Sequence, residues 1–280
     1  MFTGEFKFDL NDALDGRLPQ YCNAYHTTNE PIEDWLKLTP VKNARVLTVA
    51  ASGDQPLMYA GAGASHIDTF DITLNACAIM DFKTTALGGM NLSDYAATVQ
   101  DLTNLDKLDM RDPRIMRIMS IAGKMPQRTR TLMFNLLMHR KRAFTQHSSH
   151  KVSFPSAHEM YTKMQATAHE PFNFIWADLE NVSHYIDGKY DIINISNIFD
   201  HYLQHKESPI FAMCNTIANL WPHLNPTGNI ICTTSAFALG TPEIIEQIPE
   251  LLQSQSRMKV SFPAHDPMLP FVPIVIQKAR

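Results

Sequence analysis

Apolar blocks of strand length alternate with helical segments along most of this chain, the pattern of a parallel sheet covered on both faces. Residues 45–50, Arg-Val-Leu-Thr-Val-Ala, predict the first strand. The turn Ala51-Ser52-Gly53-Asp54-Gln55 follows, then Pro56, which fits the first turn of a helix because that N–H has no helical partner. Residues 66–71 predict a second strand and 74–87 a helix; Gly61 and Gly63, ahead of that strand, fit the end of the first helix. A helix near 157–168 precedes a third strand at 172–176, and 190–195 predict a fourth. A helix over 209–220 leads through a Pro-Gly turn to a fifth strand at 229–233. Thr241-Pro242-Glu243 reads as a helix start, with a capping hydroxyl, a proline and an acidic first turn. Two final strands, 258–262 and 271–277, have only a proline-rich loop between them, which predicts an antiparallel pair at the sheet edge. The expectation is an α/β fold of seven strands, five in a βα series plus a C-terminal antiparallel hairpin.

Between the second and third strands the alternation stops. Residues 91–150 carry no strand signal, and Ile115, Ile118, Met119, Leu132, Leu136 and Leu137 recur at helical spacing. This predicts a helical insertion. Its basic residues, Arg128, Arg130, Arg140, Lys141 and Arg142, fit a solvated helix face, with a lid over an anionic ligand as the alternative. The chain therefore reads as one domain over 1–280, with an N-terminal cap at 1–43 and the insertion or lid at 91–150.

Composition narrows the function. The 280 residues are 45% hydrophobic, enough for a substantial core. Against 28 acidic residues stand 24 basic ones, a net charge of −4, so no global field favours nucleic acid and none is expected as a partner. The longest apolar runs reach about half of the ~18 residues a membrane span needs, so no transmembrane segment is expected. The first residues, Met1 to Asp9, lack a basic segment followed by an apolar block, and a cytoplasmic location is expected. Cys22, Cys77, Cys214 and Cys232 are widely spaced with no CxxC, so they predict buried free thiols rather than a disulfide framework or zinc site. His201 and His205 stand four apart on a helix but lack a third ligand, so no metal is expected. No G-x-S-x-G occurs, which argues against a serine hydrolase.

Ligands of open parallel α/β sheets bind at the carboxyl ends of the strands. The residues past each strand are Ala51, Ser52, Gly53 and Asp54, then Asp71, then Asp178, then Ser196, Asn197 and Asp200. A dinucleotide fold needs G-x-G-x-x-G after the first strand so that backbone can approach the pyrophosphate. Here one glycine is present, Asp54 sets a negative charge where a diphosphate would lie, and Pro56 stands in for the packing glycine. S-adenosylmethionine fits the same pattern better. It has no phosphate, it is cationic at sulfur, and its ribose hydroxyls and adenine amine each suit a carboxylate. Asp71, eighteen positions beyond Gly53, suits the ribose; Asp178 suits the adenine amine. Aspartates after strands also serve as helix caps, the competing explanation for both.

The run Arg45-Val46-Leu47-Thr48-Val49-Ala50-Ala51-Ser52-Gly53-Asp54 resembles motif I of class I S-adenosylmethionine-dependent enzymes, in the version of the betaine-lipid 3-amino-3-carboxypropyltransferase-like family. The stretch 190–200, with its Ser196-Asn197 pair, is similar to that family's fourth strand, and Met125-Pro126-Gln127-Arg128-Thr129-Arg130 in the insertion also resembles the family. The resemblance spans about residues 43–235. It implies a Rossmann-like seven-stranded methyltransferase fold, S-adenosylmethionine as donor, and transfer of the 3-amino-3-carboxypropyl group with release of methylthioadenosine. The acceptor would be a small molecule or the ligand's own α-amine, whose attack on the γ-carbon closes azetidine-2-carboxylate. Methyl transfer to a small molecule, or nucleoside binding without catalysis, are the alternatives. The roles implied are cofactor binding by Ala51, Ser52, Gly53, Asp71, Asp178 and Ser196, and catalysis by Asn197, Asp200 and Tyr25. Asp200 would orient or deprotonate an amine. Tyr21, Tyr25 and His26 would lie in a segment closing over the site, with a tyrosine ring facing the sulfonium.

Overall fold

The computed structural model describes residues 32–102, 104–138, 158–168, 172–205, 207–235, 250, 258–263 and 271–278. Tyr21, Cys22, Tyr25, His26, Arg140, Lys141, Arg142, His147, His150 and the helix start at Thr241 lie outside the described residues. So does most of the N-terminal cap.

Seven strands form one sheet: β1 (Arg45–Val49), β2 (His66–Asp71), β3 (Asn173–Trp176), β4 (Tyr190–Asn194), β5 (Leu224–Ser235), β6 (Met258–Ser261) and β7 (Phe271–Lys278). Their spatial order is β3-β2-β1-β4-β5-β7-β6. The first five run parallel, and β7 lies antiparallel between β5 and β6. This is the α/β, Rossmann-like seven-stranded fold, with its topological switch between β1 and β4. The terminal pair is antiparallel as expected, and the chain passes β5's neighbouring slot to place β6 at the edge before β7 fills the gap.

The described helices are α1 (Ile32–Trp35), α2 (Asp54–Gly61), α3 (Leu74–Gly89), α4 (Leu92–Leu102), α5 (Pro113–Ala122), α6 (Gln127–Met138), α7 (His158–Thr167), α8 (Ile198–His205) and α9 (Pro209–Leu220). Local chemistry sets their starts. The Thr73 hydroxyl accepts from the Asn75 N–H to cap α3, and the Asp112 carboxylate accepts from the Arg114 N–H ahead of Pro113 in α5. Helices α4, α5 and α6 fall within the segment read as an insertion, joined by short turns, and its described part contains no strand. α2 ends at Gly61, and α9 occupies the predicted range.

The strands are buried on both faces, which explains their continuous apolar runs. Alternation assigns Val46, Ile192 and Ile231 to the core beneath α2, α3, α6 and α7. Leu47, Ile193 and Ile230 face the second core, with α8 and α9. Cys77, Cys214 and Cys232 are buried free thiols.

One expectation needs correction. The Pro-Gly stretch before the fifth strand lies inside it: β5 begins at Leu224, and the register with β4 slips between the Tyr190–Leu224 and Ile192–Asn229 pairs. Pro226, Thr227 and Gly228 are absorbed as a bulge. Gly228 belongs there because a Cβ would lie 2.9 Å from the Tyr190 carbonyl oxygen.

Candidate functional site

The register sets the strand tips in a row. Val49 pairs with Phe70, Thr48 with Asn194, Asp71 with Trp176, and Asn194 with Ile231. Neighbouring strands are about 4.8 Å apart, so the loops after β3, β2, β1, β4 and β5 form a continuous rim. Asp178, Asp71, Ala51–Gly53 (residues 51–53), Ser196–Asn197 (196–197) and Thr234 follow one another along it.

The loop after β1 is tightly wound. Ala51 has φ 44° and Gly53 φ 80°, and the facing β4 loop holds Ser196 at φ 56°. Two non-glycine residues in the left-handed region, on the two loops flanking the switch point, mark a place where the backbone is held against its preference. The holding groups are visible. The Asp71 carboxylate accepts the Ala51 N–H at 2.9 Å and the Thr73 N–H at 3.0 Å. Burial pushes this carboxyl up to about 6, against the pull of those N–H groups. The Ile72 N–H also bonds this carboxylate; a carboxylate has about four lone-pair positions, so Asp71 keeps acceptor capacity beyond these three backbone donors.

Gly53, expected at the cofactor, also has a packing role. A Cβ on Gly53 would lie 2.7 Å from the Met80 Cα of α3, so the glycine lets α3 seat on the loop. Gly53→Ala combines that backbone clash with an unfavourable φ, which alone costs about 1–2 kcal/mol. A drop in melting temperature is the expected outcome in a thermal melt, larger than that of Gly89→Ala, where a Cβ meets nothing within 4 Å.

Ser52 and Asp54 turn inward. The Ser52 hydroxyl donates to one Asp54 oxygen at 2.8 Å, and the Lys83 ammonium of α3 reaches the other at 2.6 Å. Lys83 is fully buried and Asp54 nearly so. Burial pulls the Lys83 ammonium below its usual value, and Asp54 opposes that pull. The Asp54 charge, read from the sequence as an obstacle to a diphosphate, is therefore answered inside the protein. The absence of the glycine pattern still separates this loop from a pyrophosphate cradle. Lys83 had a sequence signal: it and Asp81 are the only charged residues of an otherwise almost wholly buried helix, and such a lysine must find a counter-charge.

Asp178 lies just past β3, exposed, with its carboxylate accepting from the Asn181 N–H and side-chain amide at 2.8 Å. It caps the turn into the short 3-10 segment Val182–His184. It adjoins Asp71: the Ala177 N–H donates to the Asp71 carbonyl at 3.1 Å, and Trp176 Nε1 donates to the Ile72 carbonyl at 2.8 Å. Ile72, missed in the sequence, is a 39% exposed apolar side chain beside the two acids.

On the β4 side, a buried polar chain lies beneath the crevice. The Thr48 hydroxyl donates to Gln55 Oε1 at 3.1 Å, and Gln55 Nε2 donates to the Ser196 hydroxyl at 3.1 Å. Asn194 accepts the Ser196 N–H at 2.9 Å and donates to the Tyr59 hydroxyl at 3.1 Å. Asp200, buried in the first turn of α8, accepts from the Thr234 hydroxyl at 2.7 Å. Gln55, Thr48 and Thr234 carried no motif that would have singled them out.

The opposite, amino-terminal end of the strands has its own polar cluster, lining a cleft of about 640 Å³. There the buried Asp68 carboxylate receives Tyr190 (2.7 Å), Asn173 (2.8 Å), Arg45 (3.2 Å) and the His66 ring (3.1 Å). Four neighbours occupy its acceptor positions, so Asp68 ties together the starts of four strands.

No family model matches the chain, and no curated protein matches it. Among solved structures it is similar to the N-methyltransferase NodS from Bradyrhizobium japonicum, at 9% identity over 89% of this chain and 94% of that one, with a TM-score of 0.44. It is similar to the magnesium protoporphyrin IX methyltransferase ChlM from Synechocystis, at 9% identity over 99% and 87%, TM-score 0.44. An rRNA methylase from Streptococcus thermophilus gives 10% identity over 88% and 93%, TM-score 0.41.

Proposed function

We propose that this chain is an S-adenosylmethionine-dependent transferase that uses the 3-amino-3-carboxypropyl group. The observation that carries the reading is Asp71. It is a buried carboxylate at the tip of β2, bonded to the loop after β1, with acceptor capacity to spare and no phosphate cradle beside it. Ribose hydroxyls fit that carboxylate. The adenine lies toward Ile72 and Asp178, where the Asp178 carboxylate accepts the exocyclic amine. The methionine part then extends over Ala51 toward β4. The Ser52 and Ser196 side chains shape the loops rather than meet the ligand, and Gly53 positions the loop through α3. The solved structures named above, described as methyltransferases or methylases and in one case holding S-adenosylmethionine, are in keeping with this donor.

The resemblance of residues 45–54 and 190–200 supports the choice of carbon. A nucleophile's lone pair forms a bond to the γ-carbon, the S–Cγ electrons return to sulfur, and neutral methylthioadenosine leaves. When the nucleophile is the ligand's own α-amine, it must first lose a proton; Asp200, one helical turn past Asn197, is the acceptor assigned to it. Incubation with S-adenosylmethionine alone, followed by mass spectrometry, is expected to show methylthioadenosine and azetidine-2-carboxylate. S-adenosylhomocysteine formed with an added acceptor would instead make the protein a methyltransferase.

A further inference from the structure

The polar chain under the crevice has a direction. Thr48 donates to Gln55 Oε1, and so does Asn194 Nδ2 at 3.5 Å. Those two donors fix the Gln55 amide with its oxygen toward Thr48 and Asn194 and its nitrogen toward the loop after β4. Gln55 Nε2 then donates to the Ser196 hydroxyl, and the Ser196 hydroxyl donates to Asn197 Oδ1 at 3.4 Å. The Asn197 amide oxygen is thus used within the loop. Its NH2 group has no partner among the described residues, and Asn197 is partly exposed. Asn197 stands immediately ahead of α8, whose first N–H groups carry partial positive charge.

On this donor-binding reading, we infer that Asn197 recognises the α-carboxylate of the methionine part, with Gln55 as the positioning residue that fixes its polarity. The register supplies the place. Thr48 is level with Asn194, so the loops that carry Ala51 and Asn197 leave the sheet side by side, and a nucleoside anchored at Asp178 and Asp71 brings its amino-acid end to them. The chemistry supplies the group. An amide presenting only N–H cannot hold an ammonium, which is donor-only, and it complements a carboxylate, which is acceptor-only. Gln55 is fully buried and cannot touch the ligand. Its part is to keep the Ser196 hydroxyl pointing at Asn197.

The probes are S-adenosylmethionine and its decarboxylated analogue, with binding measured by calorimetry on the full chain. Asn197→Ala is expected to weaken S-adenosylmethionine tenfold or more and to leave the decarboxylated analogue within twofold. Gln55→Glu reverses the chain, because Ser196 then donates to the new carboxylate, and the same selective loss is expected; Gln55→Met, a neutral side chain of similar volume that cannot donate to Ser196, is also expected to weaken S-adenosylmethionine more than the analogue. Equal losses for both ligands in Asn197→Ala, or no loss for either, would overturn the assignment while leaving the nucleoside site intact. Failure of the wild-type protein to bind either ligand would overturn the donor reading, and this inference with it. Asn197→Ala alone decides the matter if the Gln55 variants do not fold.

Discussion

Asp71→Ala is expected to weaken S-adenosylmethionine binding by about 2 kcal/mol, near thirtyfold, because it removes a charge-assisted acceptor for the ribose. The loss has a second component. Asp71 also holds the Ala51 and Thr73 N–H groups, so the loop after β1 relaxes when it goes. Titration calorimetry of wild type and variant measures the sum. The same residue gives the binding a pH dependence. Its carboxyl, ordinarily near 3.8, is raised by burial to about 6 in the folded chain. The sign follows. Below the unfolded value both states are protonated and this group costs nothing; as pH rises through 6, the folded protein takes on a buried charge and loses stability from it. Ligand hydroxyls bind the ionised form. Affinity is therefore expected to hold above pH 6, and to fall toward tenfold per pH unit below it, with proton release on binding between pH 5 and 6.

Lys83→Met is expected to have the largest effect on stability, about 3–5 kcal/mol, since it leaves the Asp54 carboxylate buried without its counter-charge. Chemical denaturation reads the loss as a lower midpoint. Pairing it with Asp54→Asn removes both charges, and most of the loss should be recovered, since a neutral pair carries no uncompensated charge. If the single and double variants lose equally, the ion pair is not what joins α3 to the loop. Because α3 also seats on Gly53, the single variant is expected to weaken nucleoside binding as well.

How much of this was legible beforehand depends on what each feature needs. β1 and β4 show as runs rich in apolar, β-branched residues, β2 as a short alternating segment, and α3 and α9 show through Thr73 and Pro209. Local composition suffices for those. The bulge in β5 is not local: it exists because Gly228 must pass the Tyr190 carbonyl, a contact set by register. Asp71 was legible because its position at a strand end is itself the signal. The Gln55–Ser196 bond joins residues 141 positions apart, and nothing near either one announces it. Ser52 shows the limit most clearly. A serine in a turn after β1 reads as ligand-facing, and nothing in the sequence announces that its hydroxyl donates to Asp54, itself paired with Lys83 from α3.

On the proposed reading, the rim between β3 and β4 holds a sulfonium nucleoside where a pyrophosphate cofactor has no cradle. Parallel calorimetric titrations at pH 7.5 with S-adenosylmethionine and with NAD test this directly. Saturable heat with S-adenosylmethionine, none with NAD, and the thirtyfold loss in Asp71→Ala are the predicted results. Binding of NAD, or S-adenosylmethionine binding indifferent to Asp71→Ala, would contradict it.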